Sequence, residues 1–292
     1  MPAHHLLLME LSFSTACFLA LRIKSSWGNI VNMKFVTDKD TPLEQNSSES
    51  EEIKADIGAD GVEKPRRIRS FVRRQGRLTE GQQRALDEYW SQYGLTLESG
   101  MLNFTEVFGR DAPVILEIGF GNGSSLVAMA KSQPEKDFIG IEVHKPGVGS
   151  LINEAQVKGV NNIRVFHEDA IEVLASCIPE KSLMGFQLFF PDPWHKTRHN
   201  KRRIVKPEFI HTIHAKLKRG ATIHMATDWQ HYAKQMLKVM NADSAFINSV
   251  PKKDIEATGG YAPRPDYRPK TKFETRGERL GHGVWDLIFV KC

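Results

Sequence analysis

The stretch "LEIGFGNGSS", Leu116–Ser125, decides the architecture. An apolar run, "PVILEIG", carries one carboxylate, Glu117, and breaks into three glycines, Gly119, Gly121 and Gly123, before small residues open what reads as a helix. A strand running into a glycine-rich turn is the first unit of a doubly wound sheet, and ligands bind at the carboxyl end of that strand. The spacing is G-x-G-x-G. A dinucleotide fingerprint requires G-x-G-x-x-G, and a phosphate loop requires a Gly-Lys-Ser/Thr that is missing here. Glu117 argues the same way, because a carboxylate two residues before the first glycine repels phosphate and attracts a cation. S-adenosylmethionine carries no phosphate and bears both a sulfonium and an ammonium.

Outward from this turn, "DFIGIEV", "NIRVF", "FQLFF" and "ATIHMAT" are further short apolar runs rich in Ile, Val and Phe, as buried strands are. Helical stretches separate them. The clearest is "KPEFIHTIHAKLKRG", with Pro207 in its first turn and Gly220 as its expected stop. Earlier, "TEGQQRALDEYWSQYG" reads as a helix capped by Thr79 that turns Leu86, Tyr89, Trp90 and Tyr93 to one side and ends at Gly94. The alternation predicts an α/β fold: a doubly wound, mostly parallel Rossmann-like sheet with helices on both faces. "GVWDLIFVKC" adds a strand near the C-terminus, expected to be antiparallel.

Two more acids follow successive strands. Glu142 in "FIGIEVHKPG" stands about 20 residues past the glycines, where an acid holds ribose hydroxyls, and Asp169 in "VFHEDA" is placed to accept from an adenine amine. Each alone reads equally as a helix cap or a solvated loop residue. Three acids after three successive strands, with the glycine turn, make a cofactor site the better reading.

The segment "FFPDPWHKTRHNKRR", Phe189–Arg203, puts Asp192 between two prolines, then a Trp, then a basic tract. Asp192 is either a turn residue bonding its own backbone or, after the fourth strand, a substrate-side carboxylate. Trp194 either stacks on a base or packs under the loop. Lys64, Arg66, Arg67, Arg69, Arg73, Arg74 and Arg77 form one acid-free basic block. Lys196, Arg198, Lys201, Arg202, Arg203 and Lys206 form another, within a net charge of only +5. Two such blocks, one against the candidate loop, suit a polyanionic partner.

The opening "HLLLMELSFSTACFLALRIK" lacks the basic n-region and cleavage site of a signal peptide, and Glu10, Ser12, Ser14 and Thr15 interrupt it as a membrane span. Met33 is the expected start, making residues 1–32 upstream sequence. Thr41 to Gly61 is rich in Ser, Glu and Asp and is expected to be disordered. The organisation is then an extension over 1–62, a basic arm over 63–78, with order beginning near Leu78, and one domain over 79–292. Three scattered cysteines, Cys17, Cys177 and Cys292, suggest neither disulfide nor zinc and fit a reducing compartment such as the cytoplasm. No metal site is expected, since no H-E-x-x-H occurs and His211 with His214 lacks a third ligand.

Taken in order, "RSFVRRQGRLT", "LEIGFGNGSSLVAMA", "GIEVHKPGVGSL", "QLFFPDPWHKTRHNKRRIV", "HMATDWQHYAKQML" and "RPKTKFETRGERLGHGVWDLIF" resemble the bacterial tRNA (guanine-N7-)-methyltransferase family from about Ile68 to the end. The resemblance implies S-adenosylmethionine as cofactor, held by Glu117, Gly119, Gly121, Glu142 and Asp169, with Asp192 at the junction of cofactor and base. It implies substrate binding by Lys196, Asp228, Thr271, Lys272, Phe273 and Glu274, and RNA contact by Arg198, His199, Asn200, Lys201, Arg202 and Arg203. The implied target is guanine 46 of the tRNA variable loop. No membrane and no obligate protein partner are expected, and the chain is a monomer or homodimer. The first 60 or so residues depart from the family pattern and receive no role.

Guanine N7 exposes a lone pair and carries no proton, so no general base is required. Asp192 is accordingly expected to orient guanine through its N1 and N2 donors and to stabilise developing positive charge. A nicotinamide dehydrogenase is disfavoured by the glycine spacing. A small-molecule methyltransferase leaves the basic blocks without work, and a tRNA-binding module without chemistry has no use for the four acids.

Overall fold

The computed structural model describes residues 56–57, 63–64, 68–72, 76–271, 274–275, 279, 281 and 283–292. Of the amino-terminal extension only Asp56–Ile57 (β1) is described, paired antiparallel with Glu63–Lys64 (β2) at the start of the arm, in a unit of their own. The expectation of disorder over the rest lies outside the described residues, as do Arg66, Arg67, Arg73 and Arg74 of the arm.

The remaining strands are β3 (Gly94–Leu95), β4 (Val114–Ile118), β5 (Asp137–Ile141), β6 (Ile163–Phe166), β7 (Leu183–Phe189), β8 (Leu217–Thr227), β9 (Phe246–Asn248) and β10 (Trp285–Lys291). They form one sheet in the order β3-β6-β5-β4-β7-β8-β10-β9. Pairing is parallel from β3 through β8, and β10 runs antiparallel between β8 and β9. The order runs one way through β4, β5 and β6 and the other way through β7 and β8. The switch point therefore lies between β4 and β7, at the carboxyl end that bears the glycine turn.

The helices are α1 (Glu80–Tyr93), α2 (Phe104–Phe108), α3 (Ser124–Ser132), α4 (Lys145–Lys158), α5 (Ala170–Ser176), α6 (Pro207–Lys216), α7 (Gln230–Asn241) and α8 (Ile255–Thr258). Two apolar clusters sandwich the sheet. One joins Leu116, Ile139, Phe186 and Ile223 to α5, α6 and α7, and the other joins Phe138, Val165 and Phe189 to α1, α3 and α4.

Thr79 caps α1 as expected, in a reciprocal capping box with Gln82. Gly220 does not stop α6. The helix ends at Lys216, and Leu217, fully buried and paired with Leu183, has already entered β8. Gly220, at φ +78°, instead sits beside the register shift between β7 and β8. The short outer strands β3 and β9 carry no apolar run long enough to read in advance.

Candidate active site

The glycine turn follows β4 because its backbone enters the left-handed region: φ is +76° at Gly119, +62° at Gly121 and +81° at Gly123. A Cβ on Gly119 or Gly121 would meet nothing within 4 Å, so both face open space. On the other side of the turn a Cβ on Gly147 would lie 2.1 Å from the Gly121 carbonyl oxygen, so the start of α4 packs directly on the turn.

A cavity of about 1100 Å³ opens here. Its walls bring together Glu117, Gly119, Gly121, Glu142, Asp169, Asp192 and Thr271, residues spread over more than 150 positions of sequence. Glu142 accepts from the Gly121 amide at 2.9 Å and from the Val143 and His144 amides, bracing the turn it faces. Asp169 caps α5 by accepting from Ile171 N at 3.0 Å, and it also lines the cavity.

Glu117 differs from both. It is 2% exposed, and its Oε2 is buried with no hydrogen-bond partner. Burial, reinforced by the nearby charge of Glu142, pushes its carboxyl up to about 8. A buried acid oxygen without a donor, in the lining of a cavity, suits a cation from outside the chain. The ammonium of S-adenosylmethionine supplies one, and the open glycine turn leaves it room, so these residues fit that cofactor.

Asp192 is exposed and lies between two strained residues, Phe190 at φ +52° and Trp194 at φ +45°. Such conformations in bulky residues cost about 1–3 kcal/mol each and cluster at functional sites. Trp194 packs in the loop: its indole N–H donates to the Ser70 carbonyl at 3.1 Å, and Arg202 lies 4.2 Å over its ring. Arg202 also donates to the Arg69 and Phe71 carbonyls. Residues 69–71 are thus tied to this loop, and Ser70, Phe71 and Val72 form part of the cavity wall, earlier in the chain than the expected onset of order near Leu78.

Within the basic tract Lys196, Arg198 and Lys201 are exposed, whereas Arg203 is not. Arg203 is 1% exposed, donates to the Pro193 carbonyl at 2.8 Å and to Gln235 Oε1, and lies 4.8 Å over the Tyr232 ring. Its guanidinium is thus directed inward, toward α7. Asn200 keeps its Oδ1 buried and unpartnered. His199 is held below its ordinary value by desolvation and by the charges of Arg198, Lys196, Arg202 and Lys201, so it is neutral at neutral pH.

Lys196 and Asp228 stand outside the cavity lining. Asp228 is exposed and does not cap α7, whose cap residue is Trp229. Thr271 and Glu274 form their own reciprocal box, Glu274 N to Thr271 Oγ1 at 3.1 Å and Thr271 N to Glu274 Oε2 at 3.4 Å. Glu274 is 3% exposed, with both carboxylate oxygens taken by Arg268. Lys272 and Phe273 lie outside the described residues.

Sequence reasoning missed Arg268, its partner Asp286, and His224 and Tyr267, which continue the network from Asp286. A signal was present, since Asp286 and His224 are the single ionisable residues inside the mostly apolar runs "GVWDLIF" and "ATIHMAT". A buried charge requires a partner, and none stands near either in sequence.

A parallel sheet of this order, whose switch-point turn suits a cation better than a phosphate, defines the class: an S-adenosylmethionine-dependent methyltransferase. The Methyltransf_4 family, described as "Putative methyltransferase", matches residues 111–287. A tRNA (guanine-N(7)-)-methyltransferase of Shewanella amazonensis is 56% identical over 242 residues, 83% of this chain and 99% of that protein. One of Yersinia enterocolitica is 59% identical over 226 residues, 77% and 92% of the two chains. Among solved structures, the 16S rRNA methyltransferase KamB aligns at a TM-score of 0.45 with 15% identity, covering 65% of this chain and 93% of that one. The chain belongs to the tRNA (guanine-N(7)-)-methyltransferase family.

Proposed function

We propose that the family reaction, methyl transfer from S-adenosylmethionine to N7 of a tRNA guanine, takes place in this cavity, and that the target is guanine 46 of the variable loop. The observation that carries the reading is the buried, unpartnered Oε2 of Glu117 in the same cavity as the exposed Asp192. When bound, the cofactor supplies a methyl group on a sulfonium. Glu117 holds the ammonium, Glu142 the ribose, and Asp169 the adenine amine. Asp192 accepts from guanine N1 and N2, which aligns N7 and selects guanine over adenine. Its negative charge stabilises the positive charge that reaches the purine. No residue is required to remove a proton, because N7 has none.

Lys196, Arg198, Lys201 and Arg202 bind phosphates with little sequence discrimination, together with the basic arm over 63–78. Asp228, Thr271, Lys272 and Phe273 contact the substrate near the target nucleotide. Drawing guanine out of its tertiary contacts costs a few kcal/mol, roughly, which these contacts offset. The reading implies a cytoplasmic enzyme, monomer or homodimer, with no obligate protein partner. Among the described residues no helix is long and apolar enough to cross a membrane.

The test is to incubate the protein with isotopically labelled S-adenosylmethionine and unmodified tRNA, digest the RNA and identify the labelled nucleoside. Label in 7-methylguanosine, lost when guanine 46 is replaced by adenine, is the expected result; label in another nucleoside overturns the reading. Asp192→Ala should abolish transfer while weakening cofactor binding less than Glu142→Ala does. Equal large losses of cofactor affinity would move Asp192 into the cofactor site.

A further inference from the structure

Arg268 is 1% exposed, and its guanidinium makes four hydrogen bonds to carboxylates. Nε and Nη2 donate to Asp286 Oδ1 and Oδ2 at 2.8 and 2.9 Å, and Nη1 and Nη2 donate to Glu274 Oε2 and Oε1 at 2.8 and 2.9 Å. Asp286 belongs to β10 and is fixed by the sheet, whereas Glu274 lies three residues past Thr271, beyond the run of residues 268–271 that lines the cavity and includes Arg268 itself. The planar fork of one arginine therefore fastens that wall to the sheet from both sides.

The same guanidinium lies 5.7 Å from the Phe190 ring and 5.9 Å from the Phe189 ring. Phe190 leads through Pro191 into Asp192, so Arg268 touches the second wall as well. Behind it the network continues. Asp286 Oδ1 lies 2.7 Å from His224 Nε2, and His224 Nδ1 lies 2.8 Å from the Tyr267 hydroxyl. Desolvation outweighs Asp286 and keeps His224 below its ordinary value, so the neutral ring donates from Nε2 and accepts at Nδ1. A buried ion cluster is weak evidence for stability, because well-packed apolar replacements are often as stable or more so. Its position between two cavity walls gives it a different use.

We infer that Arg268 is a positioning residue for methyl transfer: acting through Glu274 and Phe190, it fixes the wall bearing Thr271 relative to the wall bearing Asp192. Lysine keeps the charge but is a point donor that cannot chelate two carboxylates at once. The inference rests on the cavity being the site of transfer, and the experiment separates the two. Wild type, Arg268→Lys, Glu274→Gln and the double variant, all full-length, are compared for thermal melting, cofactor dissociation constant by calorimetry, and kcat and KM with unmodified tRNA.

If wild type forms no 7-methylguanosine, the proposed function fails. If it does, Arg268→Lys should bind cofactor within about threefold of wild type and lose at least about tenfold in kcat. The double variant should be no worse than the poorer single by more than about twofold, because one contact has been removed twice. Wild-type kcat in Arg268→Lys, a loss confined to KM, or additive losses in the double variant each overturn the inference. Should Arg268→Lys not melt cooperatively, the charge-free variant Arg268→Met/Glu274→Gln/Asp286→Asn takes its place, and wild-type turnover in that variant overturns it.

Discussion

Glu117 at the end of β4 and Asp286 on β10 are equally buried, each 2% exposed, yet their surroundings set opposite charge states. Burial raises both carboxyls. At Asp286 the hydrogen bonds from His224 and Arg268, with the charge of Arg268, overcome that burial and hold the group below the ordinary carboxylate range. At Glu117 nothing opposes burial, and the charge of Glu142 adds to it. A buried acid supplied with partners by its own chain is finished as a piece of structure. One left without them is open to a partner from outside, which in the proposed function is the cofactor ammonium.

The comparison breaks most visibly in stability. Asp286→Ala leaves Arg268 with one carboxylate fewer and His224 without an acceptor, and should cost about 3–5 kcal/mol by denaturant titration. Glu117→Gln, which mimics the protonated acid, should leave the unfolding midpoint at pH 7 unchanged or higher. Similar destabilisation in the two variants would erase the distinction.

The next largest effect is on the ligand. Glu117→Gln should weaken S-adenosylmethionine at least about tenfold by calorimetry, the loss of one charge-assisted hydrogen bond to a buried partner. An unchanged dissociation constant would mean that Oε2 faces something other than the ammonium.

Proton linkage sharpens the contrast. The Glu117 carboxyl titrates at about 8 in the folded chain against an ordinary 4.5, so between those values the folded state binds the extra proton and stability falls as pH rises. The melting temperature without cofactor should fall more steeply from pH 6 to 9 in wild type than in Glu117→Gln. A cation bound there requires the anion, so cofactor binding at pH 7 should release a proton, read as a buffer-dependent calorimetric enthalpy. Asp286 has the opposite sign: its contribution is present above the ordinary 3.8 and is lost as pH falls through its lower folded value.

The smallest effect separates two neighbouring arginines. Arg202→Ala should change stability by less than about 1 kcal/mol while weakening tRNA binding and flattening its salt dependence. Arg203→Ala removes a buried guanidinium and should lower the melting temperature without changing the salt slope. Matching salt slopes would place both side chains on the RNA.

Strands β4 to β8 were legible because most of their positions are buried and each carries a short apolar run, and the glycine turn because its left-handed conformation favours glycine. The three acids were legible because a doubly wound sheet puts strand ends at one edge. Exposure within "KTRHNKRR" was not, since Arg203 turns inward only because Gln235 and Tyr232, about 30 residues later, stand ready to receive it. Thr271 and Glu274 show the same limit. Their T-x-x-E spacing is a capping box on its own, and only Arg268 reveals that the carboxylate also anchors a cavity wall.

Sequence alone determined the class of fold, the kind of cofactor and the polyanionic partner, because these follow from local periodicity, local backbone conformation and the clustering of charge. Tertiary structure decided which buried acid is left unpaired, which arginine faces outward and which loops share a wall. Those outcomes depend on contacts between residues far apart in the chain, and a side chain's charge state and direction are set by what surrounds it in space.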